Sequence, residues 1–155
     1  KKMANYLDLS TKSVEQGEGR LPKLRGQICP VVTVTTAATT LYDHQSGATV
    51  FLTISGGSDV VITLPEVAAG LNFTFVATAS PSGAGDAVIT AATADTIAIC
   101  VGPDQSADGT FDAAADTVTL EAAALGGEVI RFVSDGTKWY AFANQPAVGS
   151  VTYAG

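Results

Sequence analysis

From residue 30 onward the chain is a succession of short runs in which β-branched and aromatic residues alternate with small or polar ones. Val31–Thr36, Thr40–Asp43, Thr49–Ile54, Asp59–Leu64, Leu71–Thr78, Asp86–Ala91, Thr96–Val101 and Asp116–Ala122 each read as a strand. In Leu71–Thr78 the alternation is clean: Leu71, Phe73, Phe75 and Ala77 share one face. Gly, Ser and Pro separate the runs, at Ser55–Ser58 and Ser80–Gly85 among others, and Pro65 ends its strand because it cannot donate to a ladder. Residues 102–115 read as a longer Asp- and Ala-rich loop, and Val151–Tyr153 as an edge strand or a tail. No long helical period occurs. The pattern predicts an all-β body of about nine short antiparallel strands, arranged as a jelly-roll-like β-sandwich or a barrel.

The strongest local signal is Gly126–Phe142. Two runs rich in β-branched and aromatic residues flank Asp135-Gly136, which marks a hairpin with a two-residue turn. That register sets Phe132 opposite Trp139 as an aromatic pair and Arg131 opposite Tyr140 as a cation–π pair, with Val129 facing Phe142. Both faces then carry large apolar groups. The hairpin is therefore expected to be central in its domain or covered by another subunit, with Arg131, Phe132, Trp139, Tyr140 and Phe142 as the interface residues.

Charge divides the chain in two. The net charge over all 155 residues is −7. Residues 1–26 hold Lys1, Lys2, Lys12, Arg20, Lys23 and Arg25 against Asp8, Glu15 and Glu18, a balance of +3. Everything after carries only Arg131 and Lys138 against twelve acids, a balance of −10. In residues 1–27 the apolar positions follow neither a helical nor a strand period, and Gly17–Pro22 breaks any helix. This predicts an extended basic arm (1–27) on a β-body (28–155). Tyr6, Leu7, Leu9, Leu21 and Leu24 lie among the arm's cations Lys2, Lys12, Arg20, Lys23 and Arg25, and suit a surface that is apolar with acidic patches. An acidic body repels phosphates, so nucleic acid is not an expected partner. No apolar run approaches a membrane span, and the first residues lack the apolar core of a signal segment. Synthesis in a reducing cytoplasm, with Cys29 and Cys100 as thiols, is the expectation.

Candidate chemistry is sparse. His44 is the lone histidine, so a Ser/His/Asp mechanism would have to use it, but neighbouring Asp43 would point to the opposite face of a strand. The loop Pro103–Asp112, with Asp116 beyond it, offers carboxylates for Ca²⁺ without the 1-3-5 spacing of an EF-hand. Two cysteines and one histidine cannot complete a tetrahedral zinc site. No cofactor, metal or catalytic residue is expected.

Two segments carry a resemblance: Ile62–Val76, with its "ITLP…AGL.FTFV" pattern, and Val133–Tyr140, with "SDGT.WY". Together they resemble virion proteins of tailed bacteriophages, namely head decoration (cement) proteins and the β-domains of tail fibres and spikes. The resemblance spans roughly residues 40–143 and leaves out the arm. It implies a homotrimer on the capsid surface that clamps neighbouring major capsid proteins, with the arm as its grip. The alternative it implies is a trimeric tail-fibre or receptor-binding module whose loops at 79–85 and 102–115 contact a cell-surface glycan.

Overall fold

A computed structural model describes residues 29–79, 83–92, 95–102, 110–122 and 124–155. Six strands come first: β1 (Val31–Val34), β2 (Thr39–Thr40), β3 (Thr49–Leu52), β4 (Val60–Thr63), β5 (Asn72–Ala77) and β6 (Ala87–Thr90). They alternate between two sheets. β1, β3 and β5 lie side by side and parallel in one sheet, and β2, β4 and β6 side by side and parallel in the other. The chain therefore winds as a two-layer coil, and each turn buries one face of each strand between the layers.

The second half closes this coil. It contributes β7 (Ile97–Val101), β8 (Thr110–Ala115), β9 (Thr117–Leu120), β10 (Val129–Ser134), β11 (Trp139–Asn144) and β12 (Val151–Ala154). The seven-stranded sheet runs β1-β3-β5-β10-β11-β7-β8 and the five-stranded sheet β12-β9-β6-β4-β2. β10 pairs antiparallel with β5, and β11 parallel with β7, so the hairpin is wedged between β5 and a strand of the same direction. The all-β, sandwich-like expectation holds, and no closed barrel forms. The antiparallel expectation is corrected: both sheets are mixed, with five parallel pairings among ten. Ser55–Ser58, read as a turn, joins β3 of one sheet to β4 of the other and so closes no hairpin. A parallel pair needs a long crossover, and here a strand of the opposite layer supplies it. Among the described residues there are twelve strands rather than about nine. One of the additions is β8, whose Ala-rich sequence read as loop; pairing with β7 outweighs its weak β-propensity.

The core lies between the layers. Phe73, Phe75, Phe132 and Trp139 are all buried. Phe75 meets Phe132 edge-on at 5.3 Å between ring centroids, and Trp139 contacts Phe132 at 6.4 Å and Phe73 at 5.9 Å. Phe132 and Trp139 were expected at a subunit interface. That placement is corrected: both lie inside the sandwich, at 0% exposure, and present nothing to a second chain. Alternation along a strand sends residues 130, 132 and 134 inward and 131 and 133 outward.

The register of the hairpin also differs from the two-residue turn. Ser134 pairs with Trp139, Phe132 with Ala141 and Arg131 with Phe142, so residues 135–138 form the loop. The Asp135 carboxylate dictates this. It accepts from the Thr137 N–H at 2.7 Å, the Lys138 N–H at 3.1 Å and the Thr137 hydroxyl at 2.7 Å, folding the chain around itself. A slip of two residues keeps each side chain on its face, so the predicted division of the hairpin into two faces survives the change of register. Gly136 has φ +94°, and a Cβ there would stand 3.2 Å from the Ala69 nitrogen. Gly136→Ala is therefore expected to cost about 1–3 kcal/mol, read from the urea midpoint. An unchanged midpoint would mean that the loop does not require this conformation.

Candidate functional site

The register builds one continuous outward row across the whole seven-stranded sheet. It runs Val31, Thr49, Thr74, Arg131, Phe142, Cys100, Phe111, from β1 to β8. A second row places Val133 beside Tyr140 and Tyr140 beside Ala98. Phe142 is 54% and Phe111 67% exposed, and Val133, Tyr140 and Cys100 are exposed too. Single exposed apolar residues need no explanation, but adjacent ones on one sheet face make a contiguous patch that is a candidate interaction surface. Arg131 lies in the middle of it and makes no ion pair among the described residues. It and Lys138 are the only cations after residue 25, and both belong to this hairpin.

The Asp135 loop fixes the rim of this surface. Besides its bonds within the loop, Asp135 accepts the Tyr140 hydroxyl at 3.0 Å. Those donors, the Thr137 hydroxyl first and the Thr137 and Lys138 amides next, hold its carboxyl well below the usual carboxylate range. The same bond to Asp135 pushes the Tyr140 phenol up. A carboxyl depressed by folding contributes stability that is complete above its unfolded value, near pH 4, and is lost as pH falls toward the folded value. Asp135→Ala is thus expected to lower Tm at pH 7, with the gap from wild type narrowing as pH falls below about 4. A gap that stays constant down to pH 2 would show that the carboxylate charge is not what holds the loop. In the same variant, the Tyr140 titration followed by ultraviolet absorbance should move down toward that of an ordinary phenol.

Other carboxylates are engaged in holding loop backbone. Buried Glu128 accepts from the Leu125 and Gly126 amides, both at 2.9 Å. Asp86 accepts from Ala122 at 2.7 Å, and Asp95 from Val67 at 3.0 Å. Asp112 accepts from Ala114 at 2.7 Å. The acidity of the body thus has a structural use that composition alone did not reveal.

His44 sits in a single 3-10 turn, Asp43–Gln45, so it is a turn residue, and Asp43 belongs to that turn rather than to a strand. The turn brings Asp43 Oδ1 to 3.7 Å from His44 Nδ1, a proximity that strand geometry had argued against. The His44 ring stacks on Tyr42 at 5.7 Å, and no hydroxyl or thiol hydrogen-bonds to it among the described residues. Cys29 and Cys100 are both exposed and are not bridged to each other. Among the described residues no cluster of His, Cys, Asp or Glu is suited to a metal ion. Most of the acidic loop at 103–112 lies outside the described residues, as do Ser80–Ser82 and every named arm residue from Lys2 to Arg25.

A concavity of about 500 Å³ opens at one end of the five-stranded sheet, where the chain leaves β2 and β4. Leu41 and Leu64, both buried, belong to its apolar lining. Tyr42, Asp43 and Glu66 are exposed at its rim.

Of the predicted interface set, Arg131, Tyr140 and Phe142 share the outward face, and Phe132 and Trp139 do not. Phe111, Cys100 and Val133 complete the surface and were not singled out. Cys100 and Val133 could have been found from strand alternation; Phe111 could not, since its strand read as loop. No protein-family model matches the chain, and no curated protein matches it.

Proposed function

We propose that the chain is a non-enzymatic structural protein of a tailed-bacteriophage virion. It assembles as a trimer on the outside of the head and ties neighbouring major capsid proteins together. The observation that carries this reading is the outward row Arg131–Phe142–Cys100–Phe111, an apolar surface bearing a cation on an otherwise acidic body. The occupant that fits it is a second copy of the same chain. An acidic neighbour supplies carboxylates for Arg131, and a contact between two different patches closes into a ring when three copies meet. The motif resemblance and the arm's opposite charge supply the capsid half of the reading. Three arms on one trimer raise the effective concentration of each contact, so individually weak contacts hold.

The test uses the intact protein, a chain without residues 1–26 and undecorated heads. The expected result is a trimer in solution for both chains, with only the full chain sedimenting with heads. Equal binding by both chains would remove the arm from the grip. Loop-dependent binding to a glycan array, with no binding to heads, would replace this reading by the tail-fibre one.

A further inference from the structure

We propose that in the free protein the groove at the ends of β2 and β4 is the seat of the chain's own segment Arg20–Arg25. That segment alternates cations with apolar residues: Arg20, Leu21, Pro22, Lys23, Leu24, Arg25. The groove offers the complement. Its lining is mostly apolar, with Leu41, Leu64 and Val67 in it, and carboxylates of Asp43 and Glu66 stand at the rim. No cation lines it. Two leucines can desolvate against the lining while the intervening cations face the acids.

Position supports the same occupant. The Pro30 carbonyl accepts the Thr49 N–H at 2.9 Å, so the chain enters the body beside the first residue of β3. The connection leading into β3 begins at Leu41–Asp43, which is one wall of the groove. β1 and β2, the first strands of the coil, are both edge strands. The groove and the arm's point of attachment therefore share one end of the sandwich. Leu24 and Cys29 are five Cα–Cα steps apart, with four residues between them, and can span about 17 Å, against a spacing of about 10 Å between packed sheets. The tether is short enough to give a millimolar effective concentration. A seat of about 0.1 mM intrinsic affinity would then be roughly nine-tenths occupied, and the segment would be exposed about tenfold less often.

Limited trypsin digestion of the full chain tests this. Cleavage after Lys23 and Arg25 is expected to be about tenfold slower in the wild type than in Ala68→Trp, which fills the groove. Glu66→Lys, which reverses the rim charge, should also speed it. Both variants leave the cleaved sequence unchanged and alter exposed positions. Leu21→Ser/Leu24→Ser, a change outside the described body, should release the segment equally, with the urea midpoint of the body as its control for folding. Wild-type cleavage as fast as in Ala68→Trp overturns the proposal. Protection that survives all three changes places the segment elsewhere and overturns it as well. Protection that fades on dilution assigns the groove to the arm of a second copy and overturns the intramolecular form. The proposal stands without shell binding: protection with no attachment to heads sinks the decoration reading alone, and attachment without protection sinks the seat alone.

Discussion

Phe132→Ala is expected to destabilise the body by about 3–5 kcal/mol, a large share of the total stability of about 5–15 kcal/mol that is usual for a domain. The side chain is fully buried and makes an edge-to-face contact with Phe75 and another with Trp139. Its strand is paired on both sides, to β5 and to β11, so the backbone cannot collapse into the cavity. The measurement is equilibrium urea unfolding followed by Trp139 fluorescence, with Phe132→Leu as the milder companion. The outcome also discriminates between positions in the fold. A residue at a subunit interface would, when truncated, change the mass in solution and leave the protomer folded. A loss of protomer stability that does not depend on protein concentration is expected here.

Phe142→Asp should do the reverse. The side chain points outward, in the middle of the row formed with Arg131 and Cys100. Substitution leaves the core set of the same strand, Trp139, Ala141 and Ala143, in place. The unfolding midpoint of the protomer is expected to change by less than about 0.5 kcal/mol. Self-association is expected to weaken by at least about 30-fold, the effect of losing a central aromatic contact worth about 2 kcal/mol or more. Sedimentation across a range of concentrations reads this directly. An unaltered trimer would show that the copies meet through another face. Arg131→Glu should act in the same direction, with an effect that shrinks at high salt.

These two residues show what a sequence discloses and what it withholds. Which residues share a strand face was legible because alternation has a period of two and survives any even slip, and Phe73, Phe75 and Ala77 do share one buried face; the hairpin, apolar on both faces, did not disclose that Phe132 points into the core. The mixed topology was not legible, since Ser55–Ser58 could close a hairpin or arch to the opposite sheet with the same composition. Turn length was missed at Asp135, because Asp-Gly alone does not reveal that the carboxylate reaches two and three residues ahead. At the candidate surface, Phe142 was visible as a large group on a second face. Phe111 was hidden by the weak strand character of its alanine neighbours. The groove was invisible altogether, being built from chain segments twenty or more residues apart.

The wedged hairpin carries a consequence for how the protein comes into being. β7 leaves the ribosome well before β11, yet β11 is the neighbour that joins it to the rest of its sheet. Until residues 129–144 emerge, the last strand of the coil on that side and the β7–β8 pair each present an open flank. Backbone amides and carbonyls there have no fixed partner, and such flanks invite the wrong chain. Maturation of the larger sheet is thus gated by its latest-made central piece. Nascent chains halted before Val129 are the species from which inclusion bodies would grow, and slow, non-local closure is built into the topology.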